Sequence, residues 1–158
     1  MGLKNNIKNS VKAFICGALI ANLSVGAMIS ANAGSSNSSL VYNFSDYGHT
    51  YNAWNNMTTG SDSNGKYATA ATSISCTTSV SGGTMGVQPR VYDSAGNLKT
   101  YGEWKYNSDG VSAMMFSQTY RIISGSPAFY SQGYVQVWMG TGYHMYGTYR
   151  TPNLNDYT

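Results

Sequence analysis

An all-β fold, an antiparallel β-sandwich of about 7–8 strands, is what this sequence predicts. Three observations predict it. Tyr67 to Val80, "YATAATSISCTTSV", alternates strictly: Ala68, Ala70, Thr72, Ile74, Cys76, Thr78 and Val80 share one face, and Tyr67, Thr69, Ala71, Ser73, Ser75, Thr77 and Ser79 the other. Turn signals rich in Gly, Asn and Ser recur between such segments at strand-like intervals, with no stretch of helical period after Ile29. Charged residues make up only 9% of the chain and aromatic ones 13%, a composition opposed to disorder, which needs high charge and few rings.

The elements follow in order. Lys4, Lys8 and Lys12 precede an apolar run from Ala13 to Ile29, which closes on Ser30-Ala31-Asn32-Ala33-Gly34. Ala31 and Ala33 supply the small residues that signal peptidase requires, so residues 1–33 are expected to be a secretory signal peptide, a helix removed on export. A retained anchor is the weaker reading, because the polar Gly34 to Ser39 follows where a charged flank would be needed. Residues 34–39 read as a flexible polar N-terminus and 40–158 as a single domain.

Cleavage removes three of the nine cations. Lys66, Arg90, Lys99, Lys105, Arg121 and Arg150 then balance Asp46, Asp62, Asp93, Glu103, Asp109 and Asp156, and the exported chain is formally neutral. Its cations are scattered singly, so it lacks the basic patch that releases counterions from nucleic acid, and no nucleic-acid partner is expected. Cys16 leaves with the leader. Cys76, alone afterwards, faces inward with Ile74 and Val80 as a buried thiol, an intermolecular disulfide being the alternative.

Leu40 to Phe44 and part of Tyr47 to Trp54 read as short strands. The long strand 67–80 is expected to bend or bulge near Ala70-Ala71. In Thr84 to Tyr92, Met85, Val87, Pro89 and Val91 lie opposite Thr84, Gln88, Arg90 and Tyr92; Pro89 cannot donate to a ladder and marks an edge or a bulge. The turn Asp93 to Asn97 leads into Leu98 to Tyr106, read with Leu98, Thr100, Trp104 and Tyr106 on one face and Lys99, Tyr101, Glu103 and Lys105 on the wet one. Val111 to Phe116 and Gln118 to Ile123 are extended. Ala128 to Met139 then pairs with Tyr143 to Arg150 across Gly140-Thr141-Gly142.

That last hairpin carries the candidate site. Both of its faces hold rings, so one face sits in the core while Tyr130, Tyr134, Trp138, Tyr143, Tyr146 and Tyr149 form an aromatic band able to stack on sugars or settle at a membrane interface. The plainer account is that cross-strand aromatic pairs stabilise the sheet, by roughly 0.2–1 kcal/mol each. For catalysis the residues offer little: the acids stand in turns, Cys76 faces inward, and His49 and His144 have no ligand partner at metal spacing. Asp62-x-Asn64-Gly65 has a calcium-loop start without the downstream acid. No cofactor, metal or catalytic residue is expected.

The stretches "MGVQPRVYDSAGNLK", "WKYNSDG" and "GYHMYGTYRTPN" together resemble a pattern of small secreted β-sandwich proteins of Gram-positive bacteria, of uncharacterised function, over about Met85 to Asn153. A fainter similarity is to lactococcin-type bacteriocins, which are exported and Tyr- and Gly-rich. The resemblance implies a bacterial surface or secreted β-sandwich and supplies no active residues; secretion with association to the cell wall is the expected localisation. The expected function is non-enzymatic binding of cell-wall polysaccharide or another envelope component; the alternatives are a bacteriocin-like or pore-forming toxin acting on competitor membranes, and a protein assembling through its strand edges.

Overall fold

The computed structural model describes residues 35–157 apart from residue 126; the expected signal-peptide helix (1–33) lies outside the described residues. The described part is all-β and antiparallel. Its strands are β1 (Ser36–Ser38), β2 (Tyr42–Asp46), β3 (His49–Asp62), β4 (Gly65–Val80), β5 (Met85–Gln88), β6 (Arg90–Asp93), β7 (Leu98–Tyr101), β8 (Lys105–Tyr106), β9 (Val111–Arg121), β10 (Phe129–Ser131), β11 (Tyr134–Trp138) and β12 (Tyr143–Gly147). No described helix is long and apolar enough to cross a membrane.

One long sheet runs β1-β3-β4-β9, with β2 also paired to β3; two short sheets run β12-β11-β5-β8 and β10-β6-β7. The short sheets repeat one neighbour order. Their strands succeed each other across three interruptions: Pro89, Gln132-Gly133 and Gly102-Glu103-Trp104. Proline removes a ladder donor, which is why the expected strand 84–92 is cut in two. These three cuts, with β1 in the segment read as a flexible tail, account for the twelve described strands where 7–8 were expected.

Two apolar clusters lie between the sheets. Tyr51, Ile74, Cys76 and Val80 of the long sheet pack with Met85, Val87, Val135 and Val137 of β5 and β11. Met57, Ala68 and Ala70 pack with Val91, Phe129 and the C-terminal Tyr157. The alternation read from "YATAATSISCTTSV" therefore holds at Ala68, Ala70, Thr72, Ile74, Cys76 and Val80, all buried, whereas Thr78 is exposed. Cys76 is a free, buried thiol.

Between the clusters runs a belt of buried polar residues. Asn55 Oδ1 accepts from Thr72 Oγ1 at 2.8 Å and from the Gly133 amide at 3.1 Å. Its Nδ2 donates to Tyr149 O at 2.7 Å and to Thr148 Oγ1, and Thr148 Oγ1 donates to Gly133 O at 2.8 Å. The cause is the interruption at Gln132-Gly133: backbone that leaves the ladder inside a protein must find other partners, and Asn55 with Thr148 provides them.

Several expectations are corrected. The irregularity of β4 falls between Ser75 and Val80, not at Ala70-Ala71. Ala70 and Ala71 pair with both β3 and β9, so a bulge there would break two ladders, whereas beyond Cys76 the β3 pairing has ended. Residues 36–38, read as part of a flexible tail, pair with Asn56 to Thr58, and Ser39 exchanges hydrogen bonds of 2.9 Å with Asn55. In Leu98 to Tyr106 the face assignment fails: a register shift between Val91 and Tyr92 sets Leu98 opposite Tyr92, and the break after Tyr101 puts both Tyr101 and Tyr106 on the face away from the clusters. The segments 111–116 and 118–123 form one continuous strand, β9, as far as Arg121.

The turns match their residues. Tyr47 and Gly48, both at positive φ, close β2 on β3 as a type I′ turn demands. Asp62 Oδ1 accepts from Asn64 N at 2.8 Å and from Arg121 Nη1 at 2.7 Å, so the calcium-like loop is a turn held by an ion pair. Asp93 accepts from the Ala95 and Asn97 amides at 3.1 and 2.9 Å.

Candidate functional site

Register places side chains on the short sheets without ambiguity. Trp138 pairs with Tyr143, Gln136 with Met145 and Gly86, Tyr134 with Gly147 and Gln88, so these share a face opposite Val135 and Val137, which are buried. Across β8 the same face receives Tyr106, opposite Gly86. Beyond the interruption it continues with Arg90 opposite Tyr101 and Tyr92 opposite Tyr130.

At one end of this outward face the Trp138 and Tyr143 rings meet edge to face at 5.1 Å, and Tyr143 and Tyr106 lie 5.3 Å apart. Trp138 and Tyr143 are 40% exposed and Tyr106 44%, with Met145 beside them at 59%: rings in aqueous contact that the core does not need. Gly86 is the floor beneath. A Cβ there would lie 3.0 Å from Tyr106 and 3.1 Å from Gln136, so only glycine lets both side chains lie down on the strand. Gln136 Nε2 donates to Tyr106 Oη at 2.6 Å and Tyr143 Oη to Gly83 O at 2.7 Å, fixing the two phenols.

At the other end the rings hold cations. The Arg90 guanidinium lies 4.2 Å from the Tyr134 ring centre and 5.9 Å from that of Tyr101. Arg150 lies 4.0 Å over Tyr130, whose opposite neighbour, Tyr92, stacks at 5.2 Å. Tyr130 is thus buried, 7% exposed, and both of its faces are occupied.

Of the six rings read as one band, Tyr130, Tyr134, Trp138 and Tyr143 share this face and Tyr146 and Tyr149 do not. Tyr146 pairs with Val135 on the opposite side of β11–β12 and stacks on Phe44 at 4.2 Å. Tyr149 meets Tyr42 edge-on at 5.6 Å. Both rings close the margin between β12 and β2 instead. Tyr92, Arg90, Tyr101 and Tyr106 are the members that sequence reasoning missed. The alternation of 84–92 already set Arg90 and Tyr92 opposite the core residues, but the pairing of β5 with β11 and β8 joins distant segments and leaves no local signal.

The closed margin also gathers polar groups. Asp46 Oδ2 accepts from the Tyr146 hydroxyl and from His144 Nδ1 at 2.9 Å, and Oδ1 from the Tyr47 amide at 3.0 Å. The Tyr146 hydrogen bond, then that of His144, holds the Asp46 carboxyl below its ordinary 3.8, and the same bond pushes Tyr146 up to about 12. A depressed carboxylate contributes stability that is fully present above its unfolded value and lost as pH falls through the folded one. Asp46→Asn should therefore be less stable than the parent at neutral pH, and the gap should narrow below about pH 4, measured by urea unfolding across pH. His49 does not join this cluster: its Nδ1 lies 3.1 Å from Thr78 Oγ1. Among the described residues no three His, Cys, Asp or Glu side chains come together as a metal ion requires.

Carboxylates on this molecule thus act as turn and margin ties, and the chemistry available on the outward face is stacking, hydrogen bonding and cationic attraction. No protein-family model matches the chain, and no curated protein matches it.

Proposed function

We propose that the chain is a secreted or cell-surface β-sandwich, the long sheet stacked on the two short ones, that binds a glycan or another envelope component through the outward face of the short sheets and catalyses no reaction. The observation that carries this reading is the exposed Trp138, Tyr143 and Tyr106 group, held in place by Gln136, Gly83 and the glycine floor at Gly86. Rings fixed by hydrogen bonds at their rims present flat faces at little entropic cost, which suits stacking on a sugar. The non-enzymatic part is supported by the tying of Asp46, Asp62 and Asp93 into structural hydrogen bonds and by the burial of Cys76.

Trp138→Ala tests the reading. Trp138 lies outside both apolar clusters, so the variant should melt within a few degrees of the parent. Retention on bacterial cell-wall polysaccharide should fall about fivefold or more, since loss of a stacking anchor costs on the order of 1–3 kcal/mol. Unchanged retention would contradict the proposal, and dye release from lipid vesicles would favour a bacteriocin-like toxin in its place.

A further inference from the structure

We infer that the ligand of the outward face is an acidic polysaccharide, a sugar chain bearing carboxylates, and that Arg90 and Arg150 are its charge-reading residues. The inference rests on the glycan-binding reading and names its substrate class.

Neither arginine is placed as an ordinary surface cation. Arg90 Nε and Nη2 both donate to Gln88 Oε1, at 3.2 and 2.8 Å, while its guanidinium lies against Tyr134. Arg150 Nη2 donates to Asn153 Oδ1 at 2.9 Å, with its guanidinium over Tyr130. Each planar group is therefore oriented before any ligand arrives and still has unused N–H donors. Orientation in advance reduces the rotamer entropy lost on binding.

The anionic side of the pair is missing from the chain itself. Among the described residues the other ion pairs are satisfied internally: Asp62 with Arg121, Asp93 with Lys99, Glu103 with Lys105, Asp46 with His144. Among the described residues no carboxylate lies within ion-pair distance of Arg90 or Arg150. No Asp or Glu stands at the strand positions that share their face. A formally neutral domain thus presents two guanidinium groups, uncompensated among the described residues, on a face where Trp138, Tyr101, Tyr106 and Tyr143 are also exposed. A guanidinium matches a carboxylate through two parallel N–H···O bonds, and the exposed ring of Tyr101, 5.9 Å from the Arg90 guanidinium, suits the apolar face of the sugar that carries the carboxylate.

Two sites imply a polymer. Tyr130 of β10 and Tyr134 of β11, which carry the two cations, stand on either side of the break at Gln132-Gly133. One chain with repeated acid groups can engage both sites and gains avidity.

The test uses polygalacturonate, alginate and hyaluronate, each beside its carboxyl-reduced form. The protein should bind at least one acidic polymer about tenfold or more tightly than its reduced counterpart at low salt, and the advantage should shrink as salt rises. Arg90→Gln and Arg150→Gln should each lower that affinity about tenfold with melting unchanged, while Arg→Lys at either site restores only part of it. Reduced polymers binding as tightly as acidic ones, with the double glutamine variant unaffected and Trp138→Ala still impaired, would overturn the inference and leave glycan binding standing. Binding to none of these polymers, with cell-wall polysaccharide still retained, would overturn the inference alone; no binding to any of them or to cell-wall polysaccharide would overturn both.

Discussion

Replacing Gly133 with Ala is expected to destabilise the protein by about 3 kcal/mol or more, lowering its melting temperature by roughly 10 °C. The added methyl would overlap the Thr72 hydroxyl and stand 2.7 Å from the Gln88 carbonyl oxygen. That oxygen is backbone, in a residue paired to Tyr134, so it cannot swing aside as the end of a flexible side chain can. Relief requires parting the sheets at the level where the polar belt crosses, and the belt's hydrogen bonds would lengthen with them. Gly142→Ala is the matching control. A Cβ there meets nothing within 4 Å and the backbone is not left-handed, so its stability should change by no more than about 0.5 kcal/mol. Thermal unfolding followed by circular dichroism reads both variants.

The second large effect is expected from Asn55→Ala, a loss of about 3–5 kcal/mol measured by denaturant titration. Asn55 is fully buried. Its side chain joins three parts of the fold: Thr72 on β4, Gly133 between β10 and β11, and Thr148-Tyr149 after β12. Truncation leaves the Gly133 amide and the Thr72 hydroxyl without this partner in an interior that water does not readily enter. Each buried group left unpaired costs about 1–3 kcal/mol, which exceeds the value of the hydrogen bond itself. Asn55 and Gly133 share partners, so the double variant should be less destabilised than the sum of the two singles. Additive losses would mean that the belt does not act as a unit.

These two residues show where sequence reading reaches its limit. The period of two in 67–80 and in 84–92 revealed which side chains face inward, because alternation is a property of one strand alone. Gly96, in the turn Asp93 to Asn97, marked a hairpin, since the positive φ observed there is local too. Asn55 and Gly133 are 78 positions apart, and nothing nearby in the chain indicates that one satisfies the other. The same holds for the candidate face. Trp138 and Tyr143 were legible as a hairpin pair, but Tyr106 reaches them only because β8 joins β5, and Tyr101 and Tyr106 share a face only because the strand breaks between them. Tyr146 and Tyr149 were misassigned for a related reason. Their partners, Phe44 and Tyr42, belong to β2, which no hairpin links to β12.

The strand interruptions connect the fold to the proposed binding face. Pro89 and Gly133 separate an end with open rings, around Trp138, from an end where Tyr130 carries Arg150, and Arg90 of β6 reaches back across the break to Tyr134 of β11. The inward backbone left at the break is held by Asn55, so the polar belt that stabilises the domain also fixes the spacing between the two ends of the outward face. A variant that loosens the belt without unfolding the domain should weaken binding even though it touches no ligand.

Binding at the outward face is read residue by residue in amide chemical-shift mapping of isotope-labelled protein titrated with bacterial cell-wall polysaccharide fragments. The largest shifts should fall at Gly86, Gln88, Arg90, Tyr134, Trp138 and Tyr143, with β3, β4 and β9 little changed. Shifts concentrated on the long sheet, or none on the face that carries Trp138 and Arg90, would contradict it.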